Sequence, residues 1–234
     1  MASRPVALIL GSGPRVGASV AAAFSAKGYN IATASRSGSP STKTPEGYLS
    51  LTADFAHPNS IPGLFDSVKE AFGTAPSVVI YNAASLTPPP DDDSVLSIPT
   101  ERFITDLDIN TVSPYVAAQK AVEGWASLSP DVKKTFIYTG NPLNTKIAPF
   151  PLSLNLGVGK SATAYWVGLA DALYKEKGYR FFYADERADE AGNGKGSNLD
   201  GPAHGDFYVH LASHEGDVPW LATFVKGKGY VKIQ

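Results

Sequence analysis

The chain has 234 residues, of which 43% are hydrophobic and 18% charged, a size that fits one α/β domain with a sizeable core. Its formal net charge is -2 and it has no basic run, which argues against nucleic acid or anionic lipid as the main partner. Cysteine is absent, which excludes disulfides and thiol nucleophiles, and no apolar stretch approaches the roughly 20 residues that span a bilayer. We therefore expect a soluble, cytoplasmic protein that does not bind membranes.

Short apolar runs rich in β-branched residues alternate with longer segments of helical periodicity. The predicted strands are residues 6–10, 30–34, 48–51, 77–81, 135–139 and 180–183, and the predicted helices are residues 15–27, 61–72, 101–127 and 155–177. Strands that alternate with helices in this way are typical of repeated β-α units. The sequence predicts an α/β fold with a doubly wound parallel sheet, the Rossmann fold, as a single domain over residues 1–234.

Three connecting segments are rich in Pro, Ser, Asp or Gly, namely residues 35–46, 85–99 and 185–201. Such composition is expected of surface loops. The third segment is either an ordinary flexible connection or a mobile lid over a substrate, and the sequence leaves both interpretations open.

A glycine-rich turn joins the first strand to the first helix. It consists of Gly11, Ser12, Gly13, Pro14, Arg15, Val16 and Gly17. Glycines let the backbone approach a pyrophosphate, and a helix N-terminus offers free N–H groups and the positive end of its dipole. Because the turn lies between the first strand and first helix of a β-α series, it predicts a dinucleotide site.

With this turn the chain resembles the short-chain dehydrogenase/reductase family, whose turn reads T-G-x-x-x-G-x-G. Gly11 and Gly17 match the outer glycines, whereas Arg15 stands where the middle glycine usually lies and its side chain could reach a phosphate. The resemblance covers most of residues 5–184 and implies a nicotinamide cofactor, a small-molecule substrate and a homodimer or homotetramer.

The end of the second strand indicates which cofactor is preferred. Ser35, Arg36 and Ser37 follow that strand, where an NAD enzyme would carry a carboxylate for the ribose hydroxyls. A guanidinium forms charge-assisted contacts with a 2′-phosphate, and the serines can add hydroxyl donors. The sequence therefore predicts NADP(H).

Further cofactor contacts are implied by the resemblance. Asp54, followed by Phe55, is similar to the family's aspartate at the adenine amino group, although Asp54 could equally cap a helix. Asn82, Ala83 and Ala84 resemble the N-N-A-G stretch that lies under the cofactor.

The family's chemistry is carried by Asn, Ser, Tyr and Lys in that order. Asn110 and Lys160 match the first and the last of these, and Thr139 would line the nicotinamide side of the site. Pro114 lacks an N–H, so the carbonyl of Asn110 is left free. This carbonyl either holds a relay water, as the resemblance implies, or belongs to a simple helix kink with a polar residue beside it. The residue four before Lys160 is Leu156, which cannot donate a proton, so we predict that the catalytic tyrosine is missing.

Three explanations for Leu156 stay open. Another donor could enter the site, with Tyr138, Tyr165, Asp185 or a water on Asn110 as candidates, although Tyr165 is expected in the core. The substrate could be imine-like, so that hydride addition needs no acid. The protein could instead bind NADP(H) without redox turnover, as a sensor or as a catalyst of a rearrangement. We favour an NADP(H)-dependent reductase of a small carbonyl or imine-like compound.

Two remaining groups of polar residues complete the sequence-based predictions. Asp185 and Glu186 follow the sixth predicted strand and are either substrate-side carboxylates or an exposed acidic loop. His210 and His214 share one helix face, but no third ligand is evident, so we predict no metal.

Overall fold

Nine strands form one sheet in residues 4–39 and 42–233, the part of the chain that the computed structural model describes. The strands are β1 Val6–Leu10, β2 Asn30–Ser35, β3 Thr42–Lys43, β4 Leu49–Thr52, β5 Val78–Tyr81, β6 Lys134–Thr139, β7 Tyr179–Arg187, β8 Leu221–Val225 and β9 Gly229–Tyr230. Their order is β3-β4-β2-β1-β5-β6-β7-β8-β9, and only the two short edge strands, β3 and β9, are antiparallel to their neighbours.

Helices pack on both faces of this sheet. The α-helices are α1 Val16–Ala26, α2 Ile61–Phe72, α3 Thr100–Leu107, α4 Ser113–Trp125, α5 Ser153–Tyr174 and α6 Gly201–Ser213. Short 3-10 helices cover Pro58–Ser60, Val95–Ser97, Pro142–Asn144 and Lys175–Lys177. None of the helices in the described part of the chain is long and apolar enough to cross a lipid bilayer.

Two apolar clusters lie on opposite faces of the sheet. One includes Leu64 of α2, Ala117 of α4 and Val167 of α5, and the other includes Val20 of α1 and Leu211 of α6. The central strands contribute to both clusters because consecutive side chains point to opposite faces. After β1 the chain adds strands on one side of the sheet, and from β5 onward it adds them on the other side, so the strand order switches between β1 and β5. α/β proteins bind ligands at this switch point, beyond the carboxyl ends of the strands. The predicted α/β fold with a doubly wound parallel sheet is confirmed.

The predicted strand over residues 180–183 is too short at its C-terminus. β7 continues to Arg187 because β8 pairs with residues 183–187 and supplies hydrogen-bond partners for that stretch. Asp185 and Glu186 consequently lie within the strand and are buried. The prediction that they follow the strand is wrong, and so is the alternative of an exposed acidic loop. Pro40 and Ser41, which belong to the predicted loop 35–46, lie outside the described residues.

The predicted helix over residues 101–127 is interrupted. A π-helical turn, Asp108–Val112, separates α3 from α4, directly before Pro114. Since Pro114 has no N–H for the carbonyl of Asn110, the helix widens at this point.

Candidate active site

One cavity at the carboxyl ends of the strands, called the first cavity, has a volume of about 440 Å³. It brings together most of the predicted cofactor residues. Its lining consists of Gly11, Ser12, Gly13, Ser35, Arg36, Ser37, Asp54, Phe55, Asn82, Ala83, Ala84, Ser85 and Ile109. Four predicted cofactor residues, Arg15, Val16, Gly17 and Lys160, are not part of this wall.

The glycine-rich turn lies so close to the end of β5 that side chains have no room there. Gly11 has φ +99°, and a Cβ added to it would lie 2.4 Å from the backbone nitrogen of Ala83. A Cβ on Gly17 would lie 2.6 Å from the carbonyl oxygen of Gly11. The Asn82 amide nitrogen donates to that same carbonyl at 2.8 Å and fixes the two segments together. The narrow turn leaves the space above it open for a ligand.

Arg15 contacts a distant segment. Its guanidinium donates to the carbonyl oxygen of Ser197, in the connection between β7 and α6. The side chain therefore spans from the glycine-rich turn to residues 188–200 rather than lining the first cavity.

Polar groups at the end of β2 remain accessible. Arg36 is exposed, and the hydroxyl oxygens of Ser35 and Ser37 are 3.4 Å apart. The carboxylate of Asp54 accepts a hydrogen bond from the Ala56 N–H at 3.1 Å, which forms a local turn at the other side of the cavity. An anion near Arg36 would therefore meet a cation and two hydroxyls.

The second cavity, of about 640 Å³, lies beyond the ends of β6 and β7 and beside the start of α5. Its wall is mostly apolar, with Leu86, Phe150, Leu152, Leu156 and Leu199 among its members. The charged side chains in this wall are Lys146, Glu186 and Lys195.

Asn110 is completely buried and ties the π-helical turn to the loop after β5. Its side chain accepts from the Ser85 N–H at 3.0 Å and donates to the Ser85 carbonyl at 2.7 Å. The carbonyl oxygen that Pro114 leaves without a helical donor accepts the hydroxyls of Tyr138 and Thr163, both at 2.8 Å. The prediction that this carbonyl holds a water is therefore wrong, because two side-chain donors already occupy it.

Lys160 is buried beneath the ends of β6 and β7. Its ammonium donates to the carbonyl of Thr139 at 2.7 Å and lies 4.3 Å from the centre of the Tyr138 ring. Burial lowers the pKa of Lys160 to about 7, although the nearby charge of Asp185 opposes that shift. The Thr139 hydroxyl accepts a hydrogen bond from Tyr208 at 2.9 Å. Lys160 and Thr139 thus adjoin each other, but neither lines either cavity.

Leu156 lies one turn before Lys160 on α5 and lines the second cavity. The alternative donors proposed from the sequence do not reach this cavity wall. Tyr138 is fully buried with its hydroxyl on Asn110, and burial raises its pKa. Tyr165 is 77% exposed on the outer surface, so its expected place in the core is wrong. Asp185 is buried and pairs with the Arg187 guanidinium at 2.6 Å.

Glu186 is the site residue whose environment the sequence did not reveal. It is buried at the cavity wall, where its Oε2 accepts the Asp200 N–H at 2.9 Å and its Oε1 lies 3.4 Å from the Lys195 ammonium. The neighbouring His204 is also buried, with Nδ1 3.6 Å from Oε2. Glu186 reaches the cavity because β7 extends to Arg187, and the charged sequence of that extension does not predict a strand.

The histidines do not converge. His214 lies just beyond the end of α6, where its Nε2 is 2.9 Å from the Thr135 hydroxyl, and burial lowers its pKa to about 4. Within residues 4–39 and 42–233, no group of three or more His, Cys, Asp or Glu side chains is placed to hold a metal ion.

No protein-family model matches the chain. The short-chain dehydrogenase/reductase dmxR12 from Cryptosporiopsis sp. (strain 8999) is 39% identical over 244 residues, covering 99% of this chain and 96% of the relative. A metagenomic short-chain oxidoreductase in complex with NADP has a TM-score of 0.74 at 14% identity, covering 95% of this chain and 96% of its own. A 3-oxoacyl-(acyl-carrier protein) reductase from Brucella melitensis in complex with NAD has a TM-score of 0.75 at 18% identity, covering 92% of each chain.

Proposed function

Since the chain belongs to the short-chain dehydrogenase/reductase family of oxidoreductases, we propose that it is an NADP(H)-dependent reductase of a small carbonyl or imine-like compound. The observation that carries this proposal is the first cavity, in which a glycine-rich turn without room for side chains faces an exposed arginine and two serine hydroxyls. A dinucleotide needs close backbone approach at its pyrophosphate and a specific partner at its adenosine ribose.

NADP(H) is proposed over NAD(H) from this chain's own residues. The two similar structures above contain NADP in one case and NAD in the other, so the fold does not decide between them. Arg36 and the hydroxyls of Ser35 and Ser37 offer a charge-assisted site for a 2′-phosphate.

A parallel titration with NADPH and NADH, followed by nicotinamide fluorescence, tests this proposal. We expect tighter binding of NADPH and a loss of about 10- to 100-fold in its affinity in Arg36→Ala, because a charge-assisted contact is removed. Arg102→Ala, at an exposed arginine of α3 outside both cavities, should leave both affinities unchanged. Equal binding of the two nucleotides by the unmodified protein would contradict the NADP(H) assignment.

When bound, the nicotinamide cofactor would supply a hydride to the substrate. Lys160 donates to the carbonyl of Thr139, the last residue of β6, and is buried beneath the ends of β6 and β7. We propose that Lys160 approaches the nicotinamide ribose, as the family resemblance implies. Asn110 would act by holding the loop at Ser85 against the π-helical turn.

We also propose that Leu156 occupies the place of the family's catalytic tyrosine. It precedes Lys160 by one helical turn and lines the second cavity, and none of the tyrosines in the described chain lines either cavity. A positioned general acid typically contributes about 100- to 10,000-fold in rate, so a reductase of ordinary ketones would need another donor.

One observation favours a second candidate, an NADP(H)-binding protein without redox turnover. Two hydroxyls already fill the Asn110 carbonyl, so a water relay through that group has no acceptor. The two candidates differ in their dependence on NADPH. A reductase oxidises NADPH with some compound from a panel of activated carbonyls and cyclic imines, whereas a rearrangement continues with oxidised NADP.

The segment 185–201 is proposed to contain a lid over the substrate, reduced to residues 188–200 because β7 includes the first three and α6 begins at Gly201. Its residues 192–196 and Leu199 border the second cavity, and Ser197 accepts the hydrogen bond from Arg15. The segment thus connects the substrate side with the glycine-rich turn.

We propose that the chain forms a homodimer or homotetramer through α4 and α5. Their outer faces expose Tyr115, Tyr165, Leu169 and Leu173 by 48%, 77%, 50% and 66%. An exposed apolar patch of this kind is typical of a protein–protein interface.

A further inference from the structure

The second cavity has an apolar wall interrupted by two lysines and one carboxylate. Lys195 comes from the connection between β7 and α6, Glu186 from the end of β7 and Lys146 from the loop after β6. Charged groups in an apolar wall are costly to desolvate unless they are paired or meet a ligand.

Glu186 holds Lys195 at this wall. The carboxylate is buried, one oxygen is occupied by the Asp200 N–H, and the other has no hydrogen-bond donor in the described part of the chain. That second oxygen lies 3.4 Å from the Lys195 ammonium, which is the charge that balances it. An ammonium has three N–H groups, so a Lys195 paired with one carboxylate oxygen keeps donors for a molecule in the cavity.

The charges around this cavity leave one cation in excess. Asp185, next to Glu186, is balanced by Arg187. Lys195 balances Glu186, whereas the ammonium of Lys146 donates to the uncharged carbonyl of Gly192 at 3.1 Å. A ligand that suits this cavity is therefore apolar over most of its surface and carries an anionic oxygen.

We propose that the second cavity binds a largely apolar compound bearing an anionic oxygen, such as an enolate, phenolate or carboxylate. The excess charge of Lys146 favours an anion in the cavity, and Lys195, held at the wall by Glu186, contacts the anionic oxygen. Lys195 then acts as the proton donor, a role that the side chain of Leu156 cannot fill. This catalytic part rests on the proposed reductase function, whereas the binding part does not.

The proton balance of the reduction is complete with Lys195 as donor. In the reduction, the carbonyl oxygen of the substrate would lie where the anionic oxygen of a bound ligand lies, next to Lys195. The carbonyl carbon would accept the hydride that NADPH supplies when bound, the π electrons of the C=O bond would move to oxygen, and that oxygen would take a proton from the Lys195 ammonium, which becomes a neutral amine. Lys195 regains its proton from water, because its side chain is 22% exposed. A preorganised ammonium at the developing oxyanion stabilises the transition state.

A binding experiment without nucleotide tests the ligand class and the residue. Calorimetric titration with 2-naphthoate and with the neutral 2-naphthamide compares an anionic and an uncharged probe of the same shape. We expect tighter binding of 2-naphthoate, weakened by about tenfold or more in Lys195→Met, because a charge-assisted contact is lost. Binding of 2-naphthamide should be unchanged in that variant.

Lys228→Met is the matched control, since Lys228 also pairs with a carboxylate, Glu190 at 2.9 Å, but lies outside the cavity. Lys195→Met binding 2-naphthoate as tightly as the unmodified protein would overturn the proposal. So would a loss confined to Lys146→Met, or no preference for the anionic probe.

The same variants separate this proposal from the reductase proposal. Titration of Lys195→Met with NADPH should give unchanged affinity, while reduction of an active carbonyl compound should lose kcat by about 100-fold or more. Failure of the unmodified protein to bind any nicotinamide nucleotide would reject the reductase function and leave Lys195-dependent binding of 2-naphthoate standing.

Discussion

The two cavities are built in different ways, although they lie at the same edge of one sheet. The first, called backbone-walled below, is built where short contiguous segments meet, and the glycine-rich turn approaches the backbone at the end of β5 too closely for a side chain at Gly11. The second is formed by side chains from segments far apart in the chain, with Lys146, Leu156, Glu186 and Lys195 meeting around it.

This difference determines what a substitution can do in each cavity. A backbone-walled cavity fails when a single methyl group forces two segments apart, and it contains few groups to titrate. A side-chain-walled cavity tolerates a change of shape but responds to a change of charge. The following predictions test that contrast, beginning with the largest effect.

Gly11→Ala should cause the largest loss. The residue would keep an unfavourable positive φ, and its Cβ would lie 2.4 to 2.9 Å from backbone atoms of Ala83 and Asn82. We expect the free energy of unfolding to fall by about 3 kcal/mol, with loss of NADPH binding. Urea denaturation and nicotinamide fluorescence measure both. Gly13→Ala is the control for stability, because no atom lies within 4 Å of its added Cβ, and a similar fall in its free energy of unfolding would contradict this explanation.

Lys160, buried outside both cavities, should make the stability of the protein depend on pH. Its pKa is lowered to about 7 in the folded protein, against about 10.4 in an unfolded chain. Between these values the unfolded chain binds more protons, so the contribution of Lys160 to stability increases as pH rises and is lost as pH falls through 7.

The unfolding free energy of the unmodified protein, relative to Lys160→Met, should therefore increase by about 2 kcal/mol from pH 7 to pH 9. Urea denaturation at several pH values measures the difference. Lys27→Met, at an exposed lysine after α1, should follow the unmodified protein at every pH. A constant difference between the unmodified protein and Lys160→Met would contradict the lowered pKa.

Leu156→Tyr should have the smallest effect on stability and sharpen the contrast in function. Its side chain lines the second cavity, so a tyrosine can extend into open space without displacing backbone. We expect carbonyl reduction with NADPH to rise by about tenfold, since a phenolic donor one turn before Lys160 adds a general acid. Val158→Tyr, at an exposed position of α5 that does not line this cavity, should leave the rate unchanged. An equal increase of the reduction rate in both variants would contradict the proposal that position 156 is the place of a general acid.

The sequence predicts the backbone-walled cavity far better than the other one. Eleven of its predicted residues lie together because each follows a strand in a short contiguous motif, and parallel strands end at one edge of the sheet. The second cavity depends on the pairing of β7 with β8, which carries Glu186 into the sheet. The local sequence does not predict a strand that ends in Asp185, Glu186 and Arg187. Asp185 and Arg187 pair with each other, and the partner of Glu186 is Lys195, which follows the strand.

The hydrogen-bond partners of the Asn110 carbonyl also could not be predicted from the local sequence. Pro114 correctly predicts that it lacks a helical donor, but the hydroxyls that replace that donor come from Tyr138 on β6 and Thr163 on α5. Such long-range partners follow from packing and cannot be inferred from the spacing around Pro114.

The two edge strands have a consequence for how this molecule can associate. β3 and β9 are two residues long and antiparallel to their neighbours, so each end of the sheet offers only a short row of free backbone groups. Short edge strands protect a sheet against strand addition and aggregation through β-pairing. Within the described residues, both edge strands are of this short kind, which disfavours growth of the sheet at either end.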